Sequence, residues 1–245
     1  MRVSHVALDD FRSYRHAVVE FAPGTTVLLG SNGQGKTNLV EAVSYLSAFS
    51  SHRVSAEQAL VRLPLSPDEA QPGGAVVRVR LVTAGERETV IELEIVRGKA
   101  NRAKVNRTQV RPREVLGLLK SVVFSPEDLQ IVRGDPQVRR QFLDDLLIQQ
   151  HPLIAQVKSD FDKVARQRAA LMKSAQSQLR RGFTPDFSTV EVWDDTFAQL
   201  SAQLSLARVG LVEELRGPAA HAYEEIGGSP RKLDIEFLAS QGNCP

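Results

Sequence analysis

The residues richest in chemistry are Gly30-Ser31-Asn32-Gly33-Gln34-Gly35-Lys36-Thr37. They fill every required position of G-x-x-x-x-G-K-[ST], the spacing of a loop that cradles nucleoside-triphosphate phosphates. Gly30, Gly33 and Gly35 allow backbone angles closed to other residues, so successive N–H groups can close around phosphate oxygens. Lys36 supplies a mobile cation for the β- and γ-phosphates, and the Thr37 hydroxyl is placed to hold Mg²⁺. A helix starting near Lys36 adds its positive end, about half a unit charge, at the same point.

Such a loop needs a strand before it and a helix after it. Thr25-Thr26-Val27-Leu28-Leu29, behind Pro23-Gly24, reads as the strand. Leu39, Val40, Ala42, Val43 and Leu46 recur at helical spacing and supply the helix. Binding of a nucleoside triphosphate with Mg²⁺ is therefore the expected chemistry.

Composition sets the outer limits. An apolar fraction of 42% and a charged fraction of 24% describe a globular chain, and 245 residues allow one large domain or two ordinary ones. The formal net charge of +2 excludes a global polycation, so any nucleic-acid surface must be a local patch. Cys244 is the single cysteine, which excludes an intrachain disulfide and a cysteine metal cluster. Asp9 and Asp10 sit where a secretion signal would need an apolar core, and no apolar run reaches transmembrane length. The expectation is a cytoplasmic protein with no membrane partner.

Around the loop, Arg2–Leu8 and Ala17–Phe21 read as strands, separated by Asp10-Phe11-Arg12-Ser13-Tyr14. The succession of strand, FRSY, strand, Pro-Gly, strand, NGQGKTN and LVEAVSYL resembles the N-terminal head of the ABC-type repair and chromosome ATPases. That group includes the structural-maintenance-of-chromosomes proteins. Ser51-His52-Arg53, the block Phe124-Ser125-Pro126-Glu127-Asp128-Leu129 and the following Val132–Pro136 and Arg139–Asp144 resemble its bacterial DNA replication and repair branch.

The resemblance implies an α/β fold: an ABC-type P-loop NTPase head with a mixed β-sheet around the phosphate-loop helix and flanking antiparallel strands. A helical, coiled-coil-like arm would accompany it. It also implies ATP-dependent homodimerisation, binding of single-stranded and double-stranded DNA at ends or gaps, recombination-mediator partners and a role in the SOS response. The expected organisation is a head lobe over 1–135, an arm over 136–230 and, over 231–245, the start of a strand returning to the head. By the same resemblance Arg12 or Arg53 reaches the nucleotide phosphates, since a guanidinium pairs well with phosphate; surface salt bridging is the alternative for both.

Further along, Val76–Val82 and Thr89–Val96 alternate as strands joined through Ala84–Arg87, with short candidates at 104–106 and 109–110. Val115–Leu119 reads as a short helix, and Ser121–Phe124 and Leu233–Phe237 as strands. In the loop after Phe124, Glu127 or Asp128 either contacts metal or water or serves the first turn of a helix capped by Ser125. From Pro136 to about Ile226 the pattern is helical. Ile154, Val157, Phe161, Val164, Arg168, Leu171 and Ala175, and then Trp193, Phe197, Leu200, Leu204, Ala207 and Leu211, step by three and four. A turn at Gly182 and Pro185 divides them. An antiparallel arm and an ordinary helical subdomain both fit.

Residues 153–183 carry Lys158, Lys163, Arg166, Arg168, Lys173, Arg180 and Arg181 against Asp160 and Asp162. This excess suits either a DNA backbone, with Lys173, Arg180 and Arg181 as the expected contacts, or a solvated helix face. Hydrolysis in this class needs an acidic strand and a serine-glycine signature loop. Phe142-Leu143-Asp144-Asp145 and Trp193-Asp194-Asp195 both read as helix, and no LSGGQ-like run occurs. The chain therefore reads as a C-terminally incomplete family member that binds ATP and hydrolyses it poorly. The alternatives are another phosphate-loop protein, a small kinase or GTPase, and a non-catalytic nucleotide-binding scaffold. Val157-Lys158-Ser159-Asp160 lacks the first residue of a guanine-reading motif.

Overall fold

The computed structural model describes residues 1–51, 53–54, 56–184, 188–227 and 232–238. They fall into two units, one of residues 1–138 with 148–152 and one of 139–147 with 153–245.

In the first unit, strands β1 (Arg2–Phe11), β2 (Tyr14–Glu20), β3 (Gly74–Val82), β4 (Glu88–Val96), β5 (Arg102–Val105) and β6 (Thr108–Val110) form one sheet ordered β2-β1-β3-β4-β5-β6. Every pairing is antiparallel. The β3–β4 hairpin is the one its alternation predicts. Ala75, Val77, Val79 and Leu81 share a buried set with Ile91, Leu93 and Ile95. On the intervening positions Arg78 pairs with Glu92 at 2.7 Å, directly across the ladder, and Lys104 reaches the same carboxylate at 2.7 Å. Gly85 (φ 85°) and Glu86 (φ 58°) turn the connection.

Helix α1 (Lys36–Ala48) completes this core with Leu39, Ala42, Tyr45 and Leu46. Each buried leucine contributes about 1.5–3 kcal/mol of transfer free energy. At the end of β1 the buried positions step from Val6 and Leu8 to Phe11, with Asp10 at φ 46° between them. The loop at 58–62 holds this corner, since Arg12 N–H donates to Leu60 O and Arg62 N–H to Asp10 O, both at 2.7 Å. Arg12 itself stands at φ 53°.

Three expected strands have no ladder among the described residues: Thr25–Leu29, Ser121–Phe124 and Leu233–Phe237. A strand exists only where a neighbour takes its N–H and C=O groups. No strand does so here among the described residues, and Val27, Leu29, Val122 and Phe124 are exposed. The expected helix at Val115–Leu119 is also corrected. A single 3-10 turn, Pro112–Glu114, is followed by Gly117 at φ 81°, which a continuing helix cannot accommodate.

The second unit is helical. It takes residues 139–147 of α3 (Pro136–Gln150), then α4 (Ile154–Arg180) and α5 (Ser188–Gly227). A further short helix, α2 (Leu129–Arg133), belongs to the first unit. Both acidic runs, Asp144-Asp145 and Asp194-Asp195, lie in helices as expected. The α4 and α5 seam is antiparallel: Phe161 stacks on Phe197 with centroids 5.3 Å apart, and Arg168 meets Asp194 at 2.5 Å. Val164, Ala175, Leu204 and Leu211 are buried, as the step of three and four requires. The turn at the end of α4 is a Schellman motif. Phe183 N–H donates to Gln178 O and Gly182 N–H to Leu179 O, both at 3.0 Å, with Gly182 at φ 82°.

Candidate nucleotide-binding site

The loop at 30–37 closes on itself before α1 begins. Gly30, Gly33 and Gly35 all take positive φ, at 153°, 85° and 92°. Gln34 Oε1 accepts the Ser31 N–H at 3.0 Å. Gly35 is the N-cap of α1 and makes no side-chain cap bond, so the first-turn N–H groups stay available to an anion. Lys36 Nζ donates to Gly30 O and Ser31 O, both at 2.8 Å. The ammonium thus bridges the loop with carbonyl partners that phosphate oxygens can replace with stronger, charge-assisted bonds.

Asn32, Gly33, Gly35, Lys36, Thr37, Asn38 and Arg53 line a hollow of about 260 Å³. Gly30, Ser31 and Gln34 shape the loop behind it through the contacts just described. Thr37, the expected Mg²⁺ residue, lies in the first turn of α1 on the hollow's wall. No His, Cys, Asp or Glu cluster able to hold a metal unaided occurs among the described residues. A divalent ion here would need phosphate oxygens together with the Thr37 hydroxyl.

The corner after β1 grips the loop from one side. Tyr14 Oη donates to Gly35 O at 3.1 Å, and Asn38 Nδ2 donates to Ser13 Oγ at 2.8 Å. A Cβ on Gly35 would stand 2.7 Å from Ser13 Oγ and 3.0 Å from Tyr14 Cζ and Oη. Gly33 has nothing within 4 Å of such a Cβ. Gly35→Ala is therefore expected to lower the melting temperature and weaken nucleotide binding more than Gly33→Ala, which meets backbone strain alone, about 1 kcal/mol. Parallel melting curves and ATP titrations of the two variants check this.

Arg12 and Arg53 meet at Glu41, a carboxylate on α1 that is 1% exposed. Arg12 Nε and Nη2 donate to its two oxygens at 2.9 and 2.6 Å, and Arg12 Nη1 donates to Ala59 O at 3.0 Å. Arg53 Nη1 donates to Glu41 Oε2 at 3.2 Å and to Asn38 Oδ1 at 2.8 Å. Burial alone would raise the Glu41 pKa. The hydrogen bonds from Arg12 and Ser51, with the charges of Arg12 and Arg53, outweigh it and leave the pKa below its ordinary value. Sequence reasoning passed over Glu41. The available signal was an acid on the apolar side of a loop helix, with two arginines in neighbouring loops.

Asp128 Oδ2 accepts the Ser125 N–H at 2.6 Å across the turn Pro126–Asp128, which is helix-cap geometry. On α4, Lys158 is paired with Asp162, and Arg168 is taken by Asp194 and the face of Phe197. Lys163, Arg166, Lys173, Arg180 and Arg181 are exposed. At helical pitch the first four fall within an arc of about 100° along about 26 Å.

Comparison with known proteins agrees with this geometry. A family model described as the RecF/RecN/SMC N terminal domain matches residues 2–213. The DNA replication and repair protein RecF of Frankia alni is 47% identical over 241 residues, covering 98% of this chain and 62% of that protein. The RecF of Beutenbergia cavernae is 48% identical over 244 residues, covering 98% and 59%. The chain thus spans about six tenths of the length of these curated relatives. Among solved structures, that of the recombination mediator protein RecF-ATP in the RecFOR pathway aligns with a TM-score of 0.84 at 28% identity. It covers 99% of this chain and 62% of its own.

Proposed function

This chain belongs to the RecF/RecN/SMC N-terminal domain family, and from that premise we propose that it is the ATP-binding part of a DNA replication and repair protein. The carrying observation is the loop at 30–37: three positive-φ glycines, uncapped first-turn N–H groups and Lys36 bridging two carbonyls at 2.8 Å. The named relatives and the RecF-ATP structure support ATP as the nucleotide. The backbone amides of 33–37 and Lys36 take the phosphates, the Thr37 hydroxyl takes Mg²⁺, and ATP drives two copies together. Among the described residues that line it the hollow holds no carboxylate.

The arm supplies the DNA contact. The exposed stripe from Lys163 through Lys173 to Arg180 and Arg181 fits a phosphodiester backbone, which it follows without reading sequence. The ends or gaps of DNA and the hand-over to recombination mediators complete the proposal. Three measurements test it. ATP should raise the melting temperature where GTP does not, and ATP should increase DNA retention. Reversing the charge of Arg180 and Arg181 together should weaken duplex binding at least tenfold at low salt and flatten its salt dependence by about two phosphate contacts. Unchanged binding would remove the arm from the interface.

A further inference from the structure

Two arginines share one buried carboxylate beside the phosphate hollow, and their roles differ. Arg12 has all three nitrogens engaged, two on Glu41 and one on the Ala59 carbonyl. Arg53 uses Nη1 alone, on Glu41 and Asn38, and among the described residues its Nε and Nη2 carry no hydrogen bond. Arg53 lines the hollow, whereas Arg12 does not. Ser51 ties the two ends of this arrangement. Its hydroxyl donates to Glu41 Oε1 at 2.5 Å and accepts the Arg53 N–H at 3.1 Å.

We propose that Glu41 is a positioning residue for nucleotide binding: neutralised by Arg12, it anchors one nitrogen of Arg53 so that the others face the phosphates. This rests on the reading of the hollow as a nucleotide site. A desolvated carboxylate needs a full counter-charge, and the two-pronged Arg12 pair provides it. The remaining lone pairs are then free to hold Ser51 and Arg53 without setting a bare anion beside the phosphates. The rigid guanidinium fork makes the division possible, since one face binds Glu41 and Asn38 while the rest points outward. A lysine has the charge and lacks the fork.

The test is a double-mutant cycle read as Mg-ATP dissociation constants of the chain. Glu41→Gln keeps the shape and removes the anchor. It should raise the constant about tenfold, the equivalent of one charge-assisted hydrogen bond. In an Arg53→Ala background the same change should alter it less than about twofold. Equal losses in both backgrounds would mean that Glu41 acts through the fold, and tighter binding by Glu41→Gln would make it a competitor of the phosphates; either overturns the proposal. Arg53→Lys covers the case in which Glu41→Gln does not fold. With an unchanged melting temperature it should lose as much affinity as Arg53→Ala, and affinity like that of the unaltered chain would overturn the proposal. Lys36→Ala separates the two levels. If the unaltered chain binds Mg-ATP and Lys36→Ala does not, the nucleotide reading stands whatever Glu41 does. If the unaltered chain does not bind Mg-ATP, both readings fall.

Discussion

Replacing Lys36 with alanine should remove the stabilisation expected of Mg-ATP on this chain. In the free loop the ammonium is held by two carbonyls at 2.8 Å, on Gly30 and Ser31. With nucleotide it should exchange these for phosphate oxygens, and each hydrogen bond to a charged group is worth about 1.5–3 kcal/mol. Losing two of them weakens binding by about 100-fold or more. At a nucleotide concentration of about 100 times the dissociation constant, the unaltered chain gains about 2.7 kcal/mol. For a chain of this size that is a rise of about 5–10 °C in melting temperature. At the same concentration the variant gains about 0.4 kcal/mol, close to the limit of detection. Equal ATP-induced shifts in the two proteins would show that the ammonium is not in the site.

The largest purely structural loss is expected in the helical unit, from Arg208→Ala. Arg208 on α5 donates from Nε and Nη2 to the two oxygens of Asp144 on α3, at 2.8 and 2.9 Å. Asp144 is 1% exposed and Arg208 8%. Removing the guanidinium leaves a carboxylate buried with no counter-charge, which costs about 3–5 kcal/mol. The half-buried Arg168–Asp194 pair of the same unit should cost less than Arg208→Ala on the equivalent change. Replacing Asp144 and Arg208 together with leucine should restore most of the stability, since two buried charges leave at once. Urea unfolding followed by far-UV circular dichroism reads all three. A loss under about 1 kcal/mol for Arg208→Ala would place the pair in solvent-like surroundings.

The parts of this fold that could be read from the chain are those whose cause is local. β3 and β4 alternate because one face is buried, and their connection carries Gly85 where a positive φ is needed. The seam of α4 and α5 follows from apolar steps of three and four, and the phosphate loop from glycine and lysine spacing. Thr25–Leu29 and Ser121–Phe124 have the right composition for strands, yet composition states only a preference. A ladder needs a partner, and none pairs with them among the described residues. Val115–Leu119 has apolar residues enough for a helix and a glycine at φ 81° in its middle.

The site divides in the same way. Gly30 to Thr37 were legible as a unit because eight consecutive residues carry the pattern. The grip of Ser13 and Tyr14 on Asn38 and Gly35, and the sharing of Glu41 by Arg12 and Arg53, join residues 12 to 29 positions apart. Nothing in their local sequence announces those contacts. The family resemblance marked FRSY and Ser51-His52-Arg53 without saying that one carboxylate joins them.

The central claim is that the backbone amides of residues 30–37 enclose the triphosphate of ATP. Titration of the ¹⁵N-labelled chain with Mg-ATP, read through its amide chemical shifts, tests this directly. The largest shifts should fall on Gly33, Gly35, Lys36 and Thr37 and saturate together with one dissociation constant. Saturating binding that leaves these four amides unmoved, with the large shifts elsewhere in the chain, would contradict it.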